Sequence, residues 1–209
     1  QAWQPWHPQA WADGAVDDQR LAYAERAYRL APFNTSFTGL YTEALLAAGR
    51  REDVRAVAIL TADGGQPVHA VQSKLLLVQV AVSETRFAQA ITLAGAAMVP
   101  HPDDAGWAWA LRLELAVRAL QVAIILERGG EVADAAVDAL VLDSATHLDA
   151  LHGAQHEWVP TLCTYASPAR SERCFARLAE LSPALAATPS PSTDAFIAGA
   201  RRYAAGDLP

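Results

Sequence analysis

Residues 85–102 read T-R-F-A-Q-A-I-T-L-A-G-A-A-M-V-P-H-P. Phe87 follows a turn, Ala90, Ala94 and Ala97 recur at spacings of four and three, and Pro102 closes the phrase. That spacing puts the three alanines on one side of a helix, where small side chains let a neighbouring helix come close. Fragments of the phrase recur along the chain, each just after a break. The chain therefore reads as a series of helical hairpins.

Working outward, helix signals alternate with breaks. Asp17 and Asp18 open a helix that Pro32 ends, and Thr35 or Ser36 begins a second that stops at Gly49. A third runs from Arg51 to Leu60 and breaks at Asp63-Gly64-Gly65-Gln66-Pro67. Val68–Ser83 is the fourth. Its Leu75-Leu76-Leu77-Val78 run also suits a buried strand, but no partner strand is evident. After the opening phrase come a long helix at 105–128, stopped by Gly129-Gly130, and another at 131–142. Further helices are expected at 145–165, with a break at Pro160, at 172–181, and at 193–205 beyond a Pro/Ser linker at 182–192. Turns inside hairpins fall near Gly14, Gly49, Thr85, Gly130, Pro168 and Gly206, spaced 35, 36, 45, 38 and 38 residues apart. Near-regular spacing of that size is the mark of a helical repeat array, because one hairpin cannot bury its own apolar face.

Composition excludes several classes of function. Hydrophobic residues make up 52% and charged residues 19% of 209, enough for a sizeable core. The net charge is -7 and the longest basic clusters are only Arg50-Arg51 and Arg201-Arg202, so no cationic stripe is available for nucleic acid. No apolar run reaches the roughly 18 residues of a membrane span. Lys74 is the single lysine, a bias expected of a GC-rich bacterial genome. The chain lacks an initiator Met and a signal-peptide layout, and its end at Gly206-Asp207-Leu208-Pro209 reads as a turn into another helix. The expectation is a piece of a longer protein.

The residues resemble the tetratricopeptide repeat family. Phe87, Ala90, Ala97 and Pro102 match its second helix, with Thr85 where the family usually has glycine, and Ala27 and Pro32 match the end of that helix in the first hairpin. Gly49-Arg50-Arg51-Glu52-Asp53 and Gly130-Glu131-Val132 with Ala135 look like its turns, and Gly199 with Gly206-Asp207 like a first helix and its turn. The aromatic and leucine positions of the first helices are mostly replaced. The resemblance implies an all-α, right-handed solenoid of about five antiparallel hairpins over 15–209, preceded by a Trp/Pro-rich arm at 1–14. It also implies a scaffold whose first helices line a concave groove for a peptide, a helix or a neighbouring domain. Carried over by position, the groove would show Glu43, Gln72, Gln79, Gln121, Gln155, Trp158 and Tyr165. The basic clamp that some members use for a C-terminal carboxylate is missing there.

Few residues suggest chemistry. Cys163 and Cys174 lie five before and six after Pro168, facing positions of an antiparallel pair, and suit either a disulfide or two small buried thiols. A bond would place the domain outside the reducing cytosol, and free thiols would suit the cytoplasm. His152 and His156 share a helical face with Asp149, a possible metal set, but H-x-x-x-H-E lacks the glutamate between the histidines that zincins use. There is no G-x-S-x-G elbow, Walker loop or dinucleotide fingerprint. Trp107 and Trp109 lie nearly opposite one another on a helix, so at least one should meet an interface or groove wall.

The sequence thus points to a non-catalytic, cofactor-free interaction domain of a larger bacterial signalling or regulatory protein. A metal-dependent helical enzyme using His152 and His156 is one alternative. The other is a homo-oligomerising module in which Trp3, Trp6 and Trp11 of one copy dock on another.

Overall fold

A computed structural model describes residues 18–101, 104, 106–142 and 157–182. The N-terminal arm, the linker at 183–192, the helix expected at 193–205, and Asp149, His152, Gln155 and His156 lie outside them. The described residues are all-helical, without a strand. In chain order the helices are α1 (Asp18–Leu30), α2 (Thr35–Ala47), α3 (Arg51–Ala62), α4 (Pro67–Ser83) and α5 (Phe87–Met98). They continue with α6 (Gly106–Ile125), α7 (Gly129–Ala136), a π-helical segment (Val137–Leu142), α8 (Trp158–Tyr165) and α9 (Pro168–Leu181).

Local chemistry sets the ends. Asn34, not Thr35 or Ser36, caps α2, its Oδ1 accepting from the N–H groups of Ser36 and Phe37 at 3.1 Å. Pro67 and Pro168 open α4 and α9, where a missing N–H costs nothing. α9 therefore starts four residues earlier than the expected Glu172. Pro160 sits in the first turn of α8, where proline is tolerated, and does not break it.

Three connections are copies of one turn. Gly49, Thr85 and Glu127 adopt positive φ, at 71°, 57° and 56°. The next residue is arginine each time, and its N–H reaches back five residues at 2.8 Å: Arg50 to Leu45 O, Arg86 to Ala81 O, Arg128 to Ala123 O. With the bonds from Gly49, Thr85 and Glu127 N–H to Leu46, Val82 and Ile124 O, each closes a Schellman cap. Each arginine side chain then bonds an acceptor three residues on, at Asp53, Gln89 or Glu131. Val54, Ala90 and Val132 follow, all buried. The third turn is thus centred on Glu127, not Gly130. Gly129 and Gly130 do not stop a helix; they begin α7.

Every helix packs on its sequence neighbour, and α2, α4, α6 and α8 also touch one another in succession. α3, α5, α7 and α9 lie behind that row. α4 belongs to two cores. Leu76 and Val80 join Ala24, Leu45, Val54 and Ala58, while Leu75, Val78 and Ala81 join the larger cluster built on α5–α9. A helix buried on two sides explains the unbroken Leu75–Val78 run, which is helical. The opening phrase supplies α5, whose Ala90, Ala94 and Ala97 are buried between α4 and α6. Behind α6, Trp109 is buried and donates its indole N–H to Leu140 O of the π-helical segment at 3.3 Å.

Candidate interaction face

α4 has α2 and α6 beside it and α3 and α5 behind it, and α6 has α4 and α8 beside it and α5 and α7 behind. One side of each remains open, away from the α3/α5/α7 layer. On α6 the residues there are Trp107, Leu111, Glu114, Arg118, Gln121 and Ile125, none buried, in steps of four, three, four, three and four. That stripe runs the whole helix. On α4 it continues as Ala70, Lys74 and Leu77, and on α2 as Ser36, Leu40, Glu43 and Ala47. Trp158 and Tyr165, both half-buried and seven residues apart, share one side of α8.

The face mixes carbon with balanced charge. Trp107 is 69% exposed and Leu40 43%, whereas Trp109, on the opposite side of α6, is fully buried. Glu114 and Arg118 form an i,i+4 ion pair at 2.7 Å, and Glu43 and Lys74 add one charge of each sign.

Trp158 and Tyr165 pack against the larger core from α8, with the Tyr165 hydroxyl buried, whereas Glu43 and Gln121 sit on the non-buried sides of α2 and α6. Gln72 is not so placed on α4. It is 3% exposed and donates its Nε2 to Thr35 O at 2.7 Å, tying α4 to the start of α2. Gln79, seven residues on, shares that side of α4, and its Oε1 is buried. Both glutamines point about half a turn away from Ala70, Lys74 and Leu77, because a position copied from a degenerate repeat carries no phase information of its own. Lys74 and Leu77 are the residues this reading missed. Their non-burial in steps of three and four, between buried neighbours, was hidden by the apolar run around them.

The face is held by two bolts. At the start of the row, His69 Nε2 lies 3.2 Å from Phe33 O, and Gly64 packs so closely that an added Cβ would lie 2.2 Å from His69 Nδ1. Between α5 and α6, Arg112 and Asp104 form an ion pair at 2.7 Å, both side chains under a tenth exposed, and Arg112 also donates to Ala97 O. Burial alone would raise the Asp104 carboxyl. Hydrogen bonds from Arg112 and the His101 N–H, with the Arg112 charge, outweigh it and hold Asp104 below the usual carboxylate range. Behind the row, Arg55 grips Glu84 with two bonds of 2.6 Å and pulls its pKa down, and Arg170 bridges Asp134 and Asp138.

Cys163 and Cys174 are joined by a disulfide that ties α8 to α9, with a Cα–Cα separation of 5.6 Å and both residues buried. Among the described residues no group of three His, Cys, Asp or Glu could hold a metal, and no helix is long and apolar enough to cross a membrane. Comparison with family models, with curated proteins and with solved structures returns no match.

Proposed function

We propose that this chain is a non-catalytic protein-interaction domain, a right-handed stack of helix hairpins that holds a partner segment across the open side of α2, α4, α6 and α8. The observation that carries the reading is the stripe on α6 and its continuation at Lys74, Leu77, Leu40 and Glu43. Apolar anchors flanked by charges of both signs suit an amphipathic helix, with leucines and tryptophans as pockets and Glu114, Arg118 and Lys74 setting register. The recurrent αL-Arg turn supports a repeat array, since it returns each chain segment to the same side of the layer. The bonded Cys163–Cys174 pair supports a working environment outside a reducing cytosol.

Selection of helical peptides against the full chain tests this. Selected peptides should lose at least about tenfold in affinity against Leu77→Asp or Leu111→Asp, the scale of an anchor worth about 1.4 kcal/mol. They should keep it against Ile59→Asp on α3. Peptides indifferent to both face substitutions would sink the proposal.

A further inference from the structure

A cation drawn out of water needs an anion beside it, and this chain supplies one almost everywhere. Among the described residues the arginines that are not exposed are Arg55, Arg112, Arg118, Arg170 and Arg177. Each holds a carboxylate at 2.6–2.8 Å. Lys74 is half-buried too, yet its ammonium has neither an ion pair nor a hydrogen bond to any described residue. The sequence shows why. Three and four residues away on α4 stand Ala70, Val71, Leu77 and Val78, so the helix offers no carboxylate. On α6, Glu114 is held by Arg118 at 2.7 Å, and Glu43 of α2 does not pair with Lys74.

We propose that Lys74 receives a side-chain carboxylate of the partner, so that the segment bound on this face is an acidic amphipathic helix with one Asp or Glu set among its apolar anchors. This rests on the interaction face proposed above. Position makes the charge decisive. Lys74 has Leu40 of α2 on one side and Trp107 and Leu111 of α6 on the other. A segment laid across the three helices covers the ammonium and strips its water. Leaving that charge unpaired would cost more than one apolar anchor returns, so the partner must bring an anion. A phosphate dianion calls for more than one cation, and Arg118 is already neutralised by Glu114. A chain-end carboxylate would stop the partner at α4, whereas open carbon lies to both sides, at Leu40 and Trp107. An internal carboxylate meets both conditions. Packed helices stand about 8–10 Å apart, a distance that a crossing helix spans in about six or seven residues. The partner should therefore carry apolar residues about seven before and about seven after the acid, all on one face.

The experiment uses the full chain and helical peptides selected against it from a randomised library. The recovered peptides should place Asp or Glu between apolar residues at that spacing. Replacing this acid by its amide should weaken binding to wild type at least about tenfold. The same replacement should change binding to Lys74→Met by less than about twofold, because methionine keeps an apolar stem and removes the ammonium. Amidating the peptide C-terminus should alter neither. A fresh selection against Lys74→Glu should return Lys or Arg at that position. An equal loss on wild type and Lys74→Met, a loss on C-terminal amidation in place of the side chain, or the same acid recovered against Lys74→Glu would overturn the proposal. Peptides that still weaken against Leu77→Asp and Leu111→Asp would then leave the interaction face standing. Indifference to both of those substitutions would remove the face and this proposal together.

Discussion

At the scale of single residues, the Asp104–Arg112 pair is the most consequential contact. Arg112→Met leaves a buried carboxylate without its partner and should cost about 3–5 kcal/mol at neutral pH in chemical denaturation. The pH dependence follows from the lowered carboxyl. A group whose folded pKa is depressed stabilises the fold above its unfolded value, about 3.9 for aspartate, and loses that contribution as pH falls through the folded value. Wild type should therefore lose stability below about pH 4. Asp104→Asn should be less stable than wild type at pH 7 and close the gap at pH 2. A gap independent of pH would show that the charge of Asp104 is not what holds the α5–α6 connection. Gly64 is a second such residue. Gly64→Ala must move His69 or Phe33 and should cost about 1–3 kcal/mol by overpacking.

At the scale of elements, the shared αL-Arg turn makes opposite predictions at equivalent positions. Gly49→Ala puts a side chain at φ 71° and should destabilise by about 1 kcal/mol. Thr85, a β-branched residue at φ 57°, carries the reverse strain. Thr85→Gly should stabilise by about 0.5–1 kcal/mol, strain of about 1–2 kcal/mol outweighing the extra freedom given to the unfolded chain. Equal and same-signed changes in denaturation midpoint at the two sites would refute the equivalence of the turns. The α8–α9 disulfide closes a loop of 11 residues' separation, so reduction, or Cys163→Ala with Cys174→Ala, should cost about 2–3 kcal/mol. The turns also show where sequence reading reaches its limit. Gly49 was legible because glycine announces positive φ, and Thr85 because the helix phrase after it was strong. Glu127 was not, because a glutamate in the left-handed region leaves no compositional mark and Gly129-Gly130 beside it draws the eye.

At the scale of the whole molecule, the order of the helices among the described residues was legible because breaks and alanine stripes are local signals. The face was only partly so. Gln121 could be placed because α6 has one clear non-buried stripe. Gln72 and Gln79 could not, because α4 is apolar on two sides and its phase is set by α2 and α6, which sequence periodicity does not see. Lys74 turns this into a direct test. It is the only lysine of the chain and stands midway along the proposed face. Amine acylation of the full chain, followed by mass spectrometry, reads the accessibility of that one side chain with and without a saturating selected peptide. A partner lying across α2, α4, α6 and α8 should slow acylation of Lys74 while leaving the α-amino terminus unchanged. Acylation of Lys74 at the same rate in the bound and free chain would contradict the interaction face.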